Sequence, residues 1–515
     1  MLKLVAATLL LLQLSALVAE AYTKRKLETC DLHPDLEAQI ERELEKYAGT
    51  DENVALSITK GCNLDEWKKK NPGVPGDKNC NKPQRILVEN GTVYLTSLAN
   101  ALHMTLDERI GFLVELFETS QVYQIPDVEF TSWFDDTPGP ELCAPDPALG
   151  RRGWPHSPNN APPPVVAWTN WGCSITVPNS GHFRCTADGF DEIERYIDAR
   201  TQPLWERKIP VALGRWHTFC PHYNRWAVAP GAPPYPCQRE VLQAVADHEQ
   251  EVAARRPKKQ DRLLDISNTS FIPMTDQAKF KYLLSADGLG LSCKLDSYLI
   301  MGSLVFKAEM GPAWGFYYKA LKPYVHYIPV LVNASDDILE AVRWARANDA
   351  KARDIAEAGR RFALEHLSRP ARLCYIFRLL SALSKRLKYK PTCERRELCV
   401  PLSHHVNFLS HFEHSRHKCR YHNVLAQWGH LAQLEQPRGW NWQRLYSVER
   451  SLEIHEGGGL WPQDDIDKIP GPGRQRRRMQ QDEGGGRWLA GHGSAGTGAL
   501  DGVRSWLGWS EWKRE

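Results

Sequence analysis

The stretch from Lys279 to Val330, KFKYLLSADGLGLSCKLDSYLIMGSLVFKAEMGPAWGFYYKALKPYVHYIPV, constrains the fold more than any other part of this chain. Two short apolar runs flank a glycine-bearing turn and an amphipathic segment, and an aromatic, proline-marked exit follows. That alternation is the pattern of a βαβ unit of the nucleotide-binding kind. Tyr282-Leu283-Leu284 reads as a strand that stops at Ala286-Asp287-Gly288, where Gly288 and Gly290 allow backbone conformations closed to other residues. Ser292 is a candidate N-cap. Leu295, Tyr298 and Leu299 then recur at helical spacing, and Ser303-Leu304-Val305-Phe306 begins a second strand. The helix start is expected to face the end of a buried sheet, where its unpaired N–H groups, its dipole and the charge of Lys294 suit an anion, most naturally a diphosphate. A βαβ unit that binds nothing at this corner carries the same local pattern.

Two other segments carry chemistry. The run from Asp127 to Pro138 is extended and ends in Asp135-Asp136 just before Thr137-Pro138. Acids at the carboxyl end of a strand sit where open αβ sheets place their ligands, and a single carboxylate there can act as a general base. A metal-binding acidic pair and a solvated turn acid are the other readings. The run from Pro203 to Trp216 leads through aromatic and basic residues into a short strand ending at Arg215, whose planar five-donor fork can reach a phosphate. Cys293, beside Lys294, reads as a small buried hydrophobe.

The words KFKYLLSADG, SLVFK, LKPYVHYIPV and AND-AKARDIAEAGRRFALEHL resemble those of glycosyltransferase family 90, densely from about Lys279 to about Tyr389 and patchily back to about Asp127. That family includes the Rumi-type protein O-glucosyltransferases and the fungal capsule-associated xylosyltransferases. The resemblance implies an α/β fold of the GT-B type, two facing Rossmann-like domains. It also implies an inverting transfer of glucose or xylose from a UDP-sugar to a protein or glycan hydroxyl, with no metal or other cofactor. It places the base on Asp136 and donor contacts on Arg215 and Arg239, beside the turn Asp287-Gly288, Ser292 and Lys294, with His326 as a family feature near a later strand. An ordinary surface arginine at 239 and a packed core histidine at 326 remain open. Three departures stand out: Thr137 where an aromatic residue is frequent, Trp216 where glycine usually follows the arginine, and Lys294 where arginine is usual. Lysine keeps the charge and loses the bidentate fork. A catalytically weak or inactive sugar- or protein-binding member is therefore the alternative reading.

Met1-Leu2-Lys3, the apolar run Leu4–Val18 and Ala19-Glu20-Ala21 read as a cleavable secretory signal over residues 1–21. An uncleaved type II anchor is the alternative, although the run is shorter than the roughly 20 residues that span a bilayer. Thirteen cysteines suit an oxidising compartment, the lumen of the endoplasmic reticulum or Golgi or the outside of the cell, with Cys62/Cys80 and Cys220/Cys237 as candidate pairs. Sequons at Asn90, Asn268 and Asn333 are compatible with that. A net charge of +3 calls for no nucleic acid. The expected organisation is an acceptor-side domain over 22–190, a donor domain over 191–395 closed by a helix at Leu373–Tyr389, and a low-complexity, disordered tail over 396–515. The tail's histidines 411, 414 and 417 match no closed zinc site, and its Gly491–Gly496 GxGxxG follows no strand.

Overall fold

The computed structural model describes residues 26–56, 83–96, 107–133, 162–169, 174–178, 190–197, 204–217, 237–254, 262–288, 290–309, 314–396, 398–411, 428 and 430–439. In chain order the strands are β1 (Pro83–Glu89), β2 (Thr92–Leu95), β3 (Val128–Trp133), β4 (Val165–Ala167), β5 (Ile175–Thr176), β6 (Ile209–Arg215), β7 (Leu264–Ser267), β8 (Phe280–Ser285), β9 (Leu304–Ala308), β10 (Ile328–Val330), β11 (Leu398–Pro401) and β12 (Arg438–Gly439). The longer helices against them are α1 (Pro34–Leu44), α2 (Asp107–Val122), α3 (Phe190–Tyr196), α4 (Gln238–Ala254), α5 (Leu295–Ile300), α6 (Asp337–Ala347), α7 (Asp349–His366), α8 (Arg369–Ser384) and α9 (Leu402–His411).

The strands form two sheets. Strands β6 to β10 pair in parallel throughout, in the order β10-β9-β8-β6-β7. Renumbered by succession within this sheet, that order reads 2-1-3-4-5, one of the two common doubly wound arrangements. Its central strands are apolar on both faces, as parallel strands covered by helices must be. Successive residues go to opposite cores: Leu213, Leu283 and Val305 join the core under α5 and α8, while Ala212, Tyr282, Leu284 and Phe306 join the core under α4 and α6.

The other sheet is mixed, in the order β12-β11-β2-β1-β3-β4-β5. β1 and β2 form a hairpin turned by Asn90-Gly91 at φ 52° and 74°, the left-handed pair a two-residue hairpin needs. β3, β4 and β5 run parallel to one another. Helix α8 crosses beneath this sheet. Its buried Arg372 pairs with the buried Glu115 of α2 at 2.7 Å, and Tyr375 Oη donates to the Thr176 carbonyl at 3.0 Å. A disulfide joins Cys30 to Cys374 of α8 across 344 residues.

The α/β class is as expected, with three differences. The boundary expected at 395/396 falls inside the mixed sheet, because the apolar run Leu398–Leu402 supplies β11 against β2 and α9 packs behind it. Residues 440–515 of the expected tail lie outside the described residues, as does the expected signal. Two disulfides add to the expected pairs, Cys30–Cys374 and Cys393–Cys399; Cys237 is disulfide-bonded, as expected, and Cys62, Cys80 and Cys220 lie outside the described residues. The helix expected at Leu373–Tyr389 spans Arg369–Ser384, entered through Pro370 in its first turn. No helix among the described residues is long and apolar enough to cross a membrane.

Candidate functional site

In a 2-1-3-4-5 sheet the chain leaves the first strand toward one edge and the third toward the other. A crevice therefore opens outside the carboxyl ends of these two neighbours, here β6 and β8. The two strands end at Arg215 and Ser285. After β8 the turn is fixed by its own polar groups: the Asp287 N–H donates to Gln238 Oε1 at 2.8 Å, Asp287 Oδ1 accepts the Ser292 N–H at 2.8 Å, and the Gly288 N–H donates to the Gly290 carbonyl at 2.9 Å. Burial pushes the Asp287 carboxyl up, against the pull of Lys307, the Ser292 N–H and Arg239.

Ser292 does not cap a helix. A further turn intervenes, α5 begins at Leu295 with Lys294 at the capping position, and the helix is six residues long. Its dipole is correspondingly small, so the positive charge of the crevice comes from side chains.

Arg239, in the first turn of α4, spans the switch point. Its Nε donates to the Ala286 carbonyl at 3.2 Å and its Nη1 to the His217 carbonyl at 2.8 Å, joining the loops that follow β8 and β6. Gly288 makes room for it: a Cβ there would stand 2.6 Å from Arg239 Cζ. Lys294 Nζ donates to the Arg215 carbonyl and stitches the same two loops. Arg215 itself turns away. Its Nη1 donates to the Gly214 and Asp265 carbonyls at 2.8 and 2.6 Å, and its Nη2 meets Asp265 Oδ1 at 2.8 Å, so the fork is spent on β7. Trp216 is accommodated by the neighbouring glycine, since a Cβ on Gly214 would lie 2.5 Å from the Trp216 ring.

At the end of β9 the structure adds residues the sequence reading missed. Lys307 Nζ pairs with Glu309 Oε2 at 2.9 Å and stands 4.9 Å from the ring centre of Tyr318. The signal was present: Lys307 and Glu309 are two apart at the end of an apolar strand and so share a face. His326 is not part of this group. It precedes β10 and thus sits at the amino end of the sheet, where its Nδ1 accepts the Lys322 N–H at 3.1 Å and its ring packs 4.9 Å from Phe362. Burial pushes its pKa down. Asp136 lies outside the described residues, three positions beyond the end of β3.

The crevice thus gathers Arg239, Lys294 and Lys307 around a glycine turn, an arrangement able to hold a diphosphate and to stabilise it as a leaving group. A family model described as Glycosyl transferase family 90 matches residues 82–404, more than half of the chain. The chain is 39% identical over 122 residues to Protein O-glucosyltransferase 1 of Bos taurus, a stretch covering 24% of this chain and 30% of that protein. It is 33% identical over 132 residues to Protein O-glucosyltransferase 3 of Mus musculus, covering 26% of each. To O-glucosyltransferase rumi of Drosophila pseudoobscura pseudoobscura it is 36% identical over 129 residues, covering 25% of this chain and 31% of that one. The chain therefore spans under a third of the length of these curated relatives. A solved glycosyltransferase from Rickettsia africae ESF-5 overlays with a TM-score of 0.26 at 11% identity, covering 43% of this chain and 64% of that chain, too loosely to carry an argument.

Proposed function

The chain belongs to glycosyl transferase family 90, and we propose that it transfers glucose from UDP-glucose to a hydroxyl of a protein acceptor, in the lumen of the secretory pathway. The observation that carries this reading is Arg239 lying across the switch point above Gly288. In this reading the parallel sheet is the donor half of a GT-B arrangement and the mixed sheet the acceptor half. The diphosphate of the donor lies in the crevice against Arg239, Lys294 and Lys307. Asp136 takes the proton from the acceptor hydroxyl while that oxygen attacks the anomeric carbon from the face opposite the diphosphate. The new carbon–oxygen bond forms, the bond to the diphosphate breaks with inversion, and UDP leaves with its charge met by the cations. With charge supplied by side chains, the step needs no metal.

The disulfides Cys30–Cys374 and Cys393–Cys399 support the luminal placement, since such bonds persist in oxidising compartments. Glucose is preferred to xylose only because the similar proteins are O-glucosyltransferases. The two sugars differ by one hydroxymethyl group, worth only about 1–3 kcal/mol of discrimination in a pocket.

A second reading, a catalytically weak or inactive binding member, is favoured by one observation: Arg215 spends its fork on Asp265, and Lys294 its amine on a carbonyl. One experiment separates the two. UDP-glucose and UDP-xylose turnover is measured by mass spectrometry of products on wild type and Asp136→Asn, with UDP binding followed by calorimetry. Turnover that falls roughly 10²- to 10⁴-fold in Asp136→Asn with UDP binding retained supports the transferase. UDP binding without turnover by wild type on any acceptor supports the second reading.

A further inference from the structure

A buried carboxylate ties the mixed sheet to the segment that follows β9. Glu43, near the end of α1, is 7% exposed. Its Oε2 accepts the Thr176 N–H at 2.7 Å and the Thr176 hydroxyl at 2.8 Å, at the carboxyl end of β5. Its Oε1 accepts the Trp314 indole N–H at 2.9 Å. Gln39, one turn earlier on the same face of α1, donates from Nε2 to the Gly315 carbonyl at 3.3 Å. Helix α1 packs on β5 and α8, so it belongs with the mixed sheet. Trp314 and Gly315 come between β9 and β10 of the parallel sheet.

From this anchor the segment reaches the crevice. A Cβ on Gly315 would stand 3.0 Å from Leu291 Cδ1, in the turn that follows β8, so Gly315 is packed closely on that turn. Three residues further, the Tyr318 ring centre lies 4.9 Å from the Lys307 ammonium. Contacts thus run from Glu43 through Trp314 and Gly315 to the glycine turn and to one of the crevice cations.

We propose that Glu43 is a positioning residue: by holding Trp314 and Gly315 against β5 it sets the crevice in register with the mixed sheet. This rests on the transferase reading, in which the donor lies against the parallel sheet and β3 of the mixed sheet leads to the base. A buried carboxylate is costly unless its oxygens are hydrogen-bonded. Bonded in a fixed set, it favours one placement of the parts it joins. Transfer needs the acceptor oxygen about 3–3.5 Å from the anomeric carbon and in line with the bond that breaks, and a shift of about 1 Å costs on the order of 10²-fold. UDP itself is gripped from the parallel sheet, so its affinity does not depend on that register. The signature of the role is a fall in kcat with UDP affinity kept.

The test is turnover of saturating UDP-glucose by the full chain, read as UDP release with water or a mixture of secreted proteins as the acceptor. UDP affinity is measured alongside by calorimetry. Trp314→Phe keeps a ring and removes the N–H donor, and Glu43→Gln keeps the shape and leaves one of the two oxygens. Each is expected to lower kcat about tenfold per folded molecule, with the UDP Kd and the KM for UDP-glucose within about threefold of wild type. The double variant is expected to be no slower than the slower single, because both changes remove one bond. A lower melting temperature with kcat per folded molecule unchanged would make the contact structural only and overturns the proposal. So do kcat and UDP affinity falling together, and losses that multiply in the double variant. If Glu43→Gln does not fold, Trp314→Phe decides alone. Wild type that releases no UDP removes the transferase reading and this inference with it, whereas wild-type turnover matched by Trp314→Phe removes this inference alone.

Discussion

At the carboxyl end of the parallel sheet Arg239 and Lys294 tie together the loops after β6 and β8, and Lys307 is matched by Glu309. At the amino end Lys208 and Arg360 both close on the final turn of α5. The same residue types therefore do different work. At the carboxyl end they bridge loop carbonyls above a glycine turn, positions from which an incoming phosphate can draw them. Lys208 is held inside, its three bonds going to the Ala278 and Met301 carbonyls and Ser303 Oγ. Substitutions at the first end should cost ligand binding, and substitution of Lys208 should cost stability.

The largest expected effect is at the amino end. Lys208→Met removes the donor shared by the Ala278 and Met301 carbonyls and Ser303 Oγ, and urea unfolding should show a loss of about 2–4 kcal/mol with turnover per folded molecule retained. The same residue gives a pH signature. Its amine is down at about 7 in the folded protein, against roughly 10.4 in an unfolded chain. Between those values the unfolded chain holds the proton and the folded one does not. Raising the pH from 7 toward 10 should therefore add stability, at up to about 1.4 kcal/mol per pH unit, a slope that Lys208→Met removes. A wild-type stability flat over that window would break the contrast between the two ends.

Arg239→Ala comes next. It should lower kcat/KM for the sugar nucleotide roughly 10- to 100-fold while urea unfolding stays within about 1 kcal/mol of wild type. A comparable loss of stability instead would make Arg239 another structural cation. Gly288→Ala sharpens the point, because the three atoms nearest its Cβ all belong to the flexible head of Arg239. It should raise KM about tenfold. Combined with Arg239→Ala it should add little, since both changes remove one interaction. The smallest effect is a gain: Lys294→Arg restores a fork at the crevice and should tighten UDP binding a few-fold by calorimetry.

Much of the parallel sheet was legible in the chain because each strand is a short apolar run closed by its own turn. Arg239 was legible only through resemblance. Its role depends on α4 starting beside a turn 47 residues away in sequence, and no local pattern encodes that meeting. Arg215 was placed correctly at a strand end, but its partner Asp265 lies on the neighbouring strand, so the direction of its fork was hidden. His326 shows a third limit. It is close in sequence to the crevice elements, yet it precedes its strand where they follow theirs, and in a parallel sheet that difference spans the molecule. In the mixed sheet β4 and β5 are three and two residues long, too short for any periodicity to be read.

The pairing of β11 with β2 has a consequence for how the molecule is made. All five strands of the parallel sheet emerge from the ribosome as one uninterrupted run, which is complete by Val330. The mixed sheet is begun earlier, but the outer edge of β2 waits some three hundred residues for its neighbour. At about 5–20 residues per second that wait is on the order of 15–60 s. An uncovered strand edge invites pairing with other chains. The half of the protein that is translated first is thus the half that is finished last, and the edge of β2 stays open to other chains for that interval.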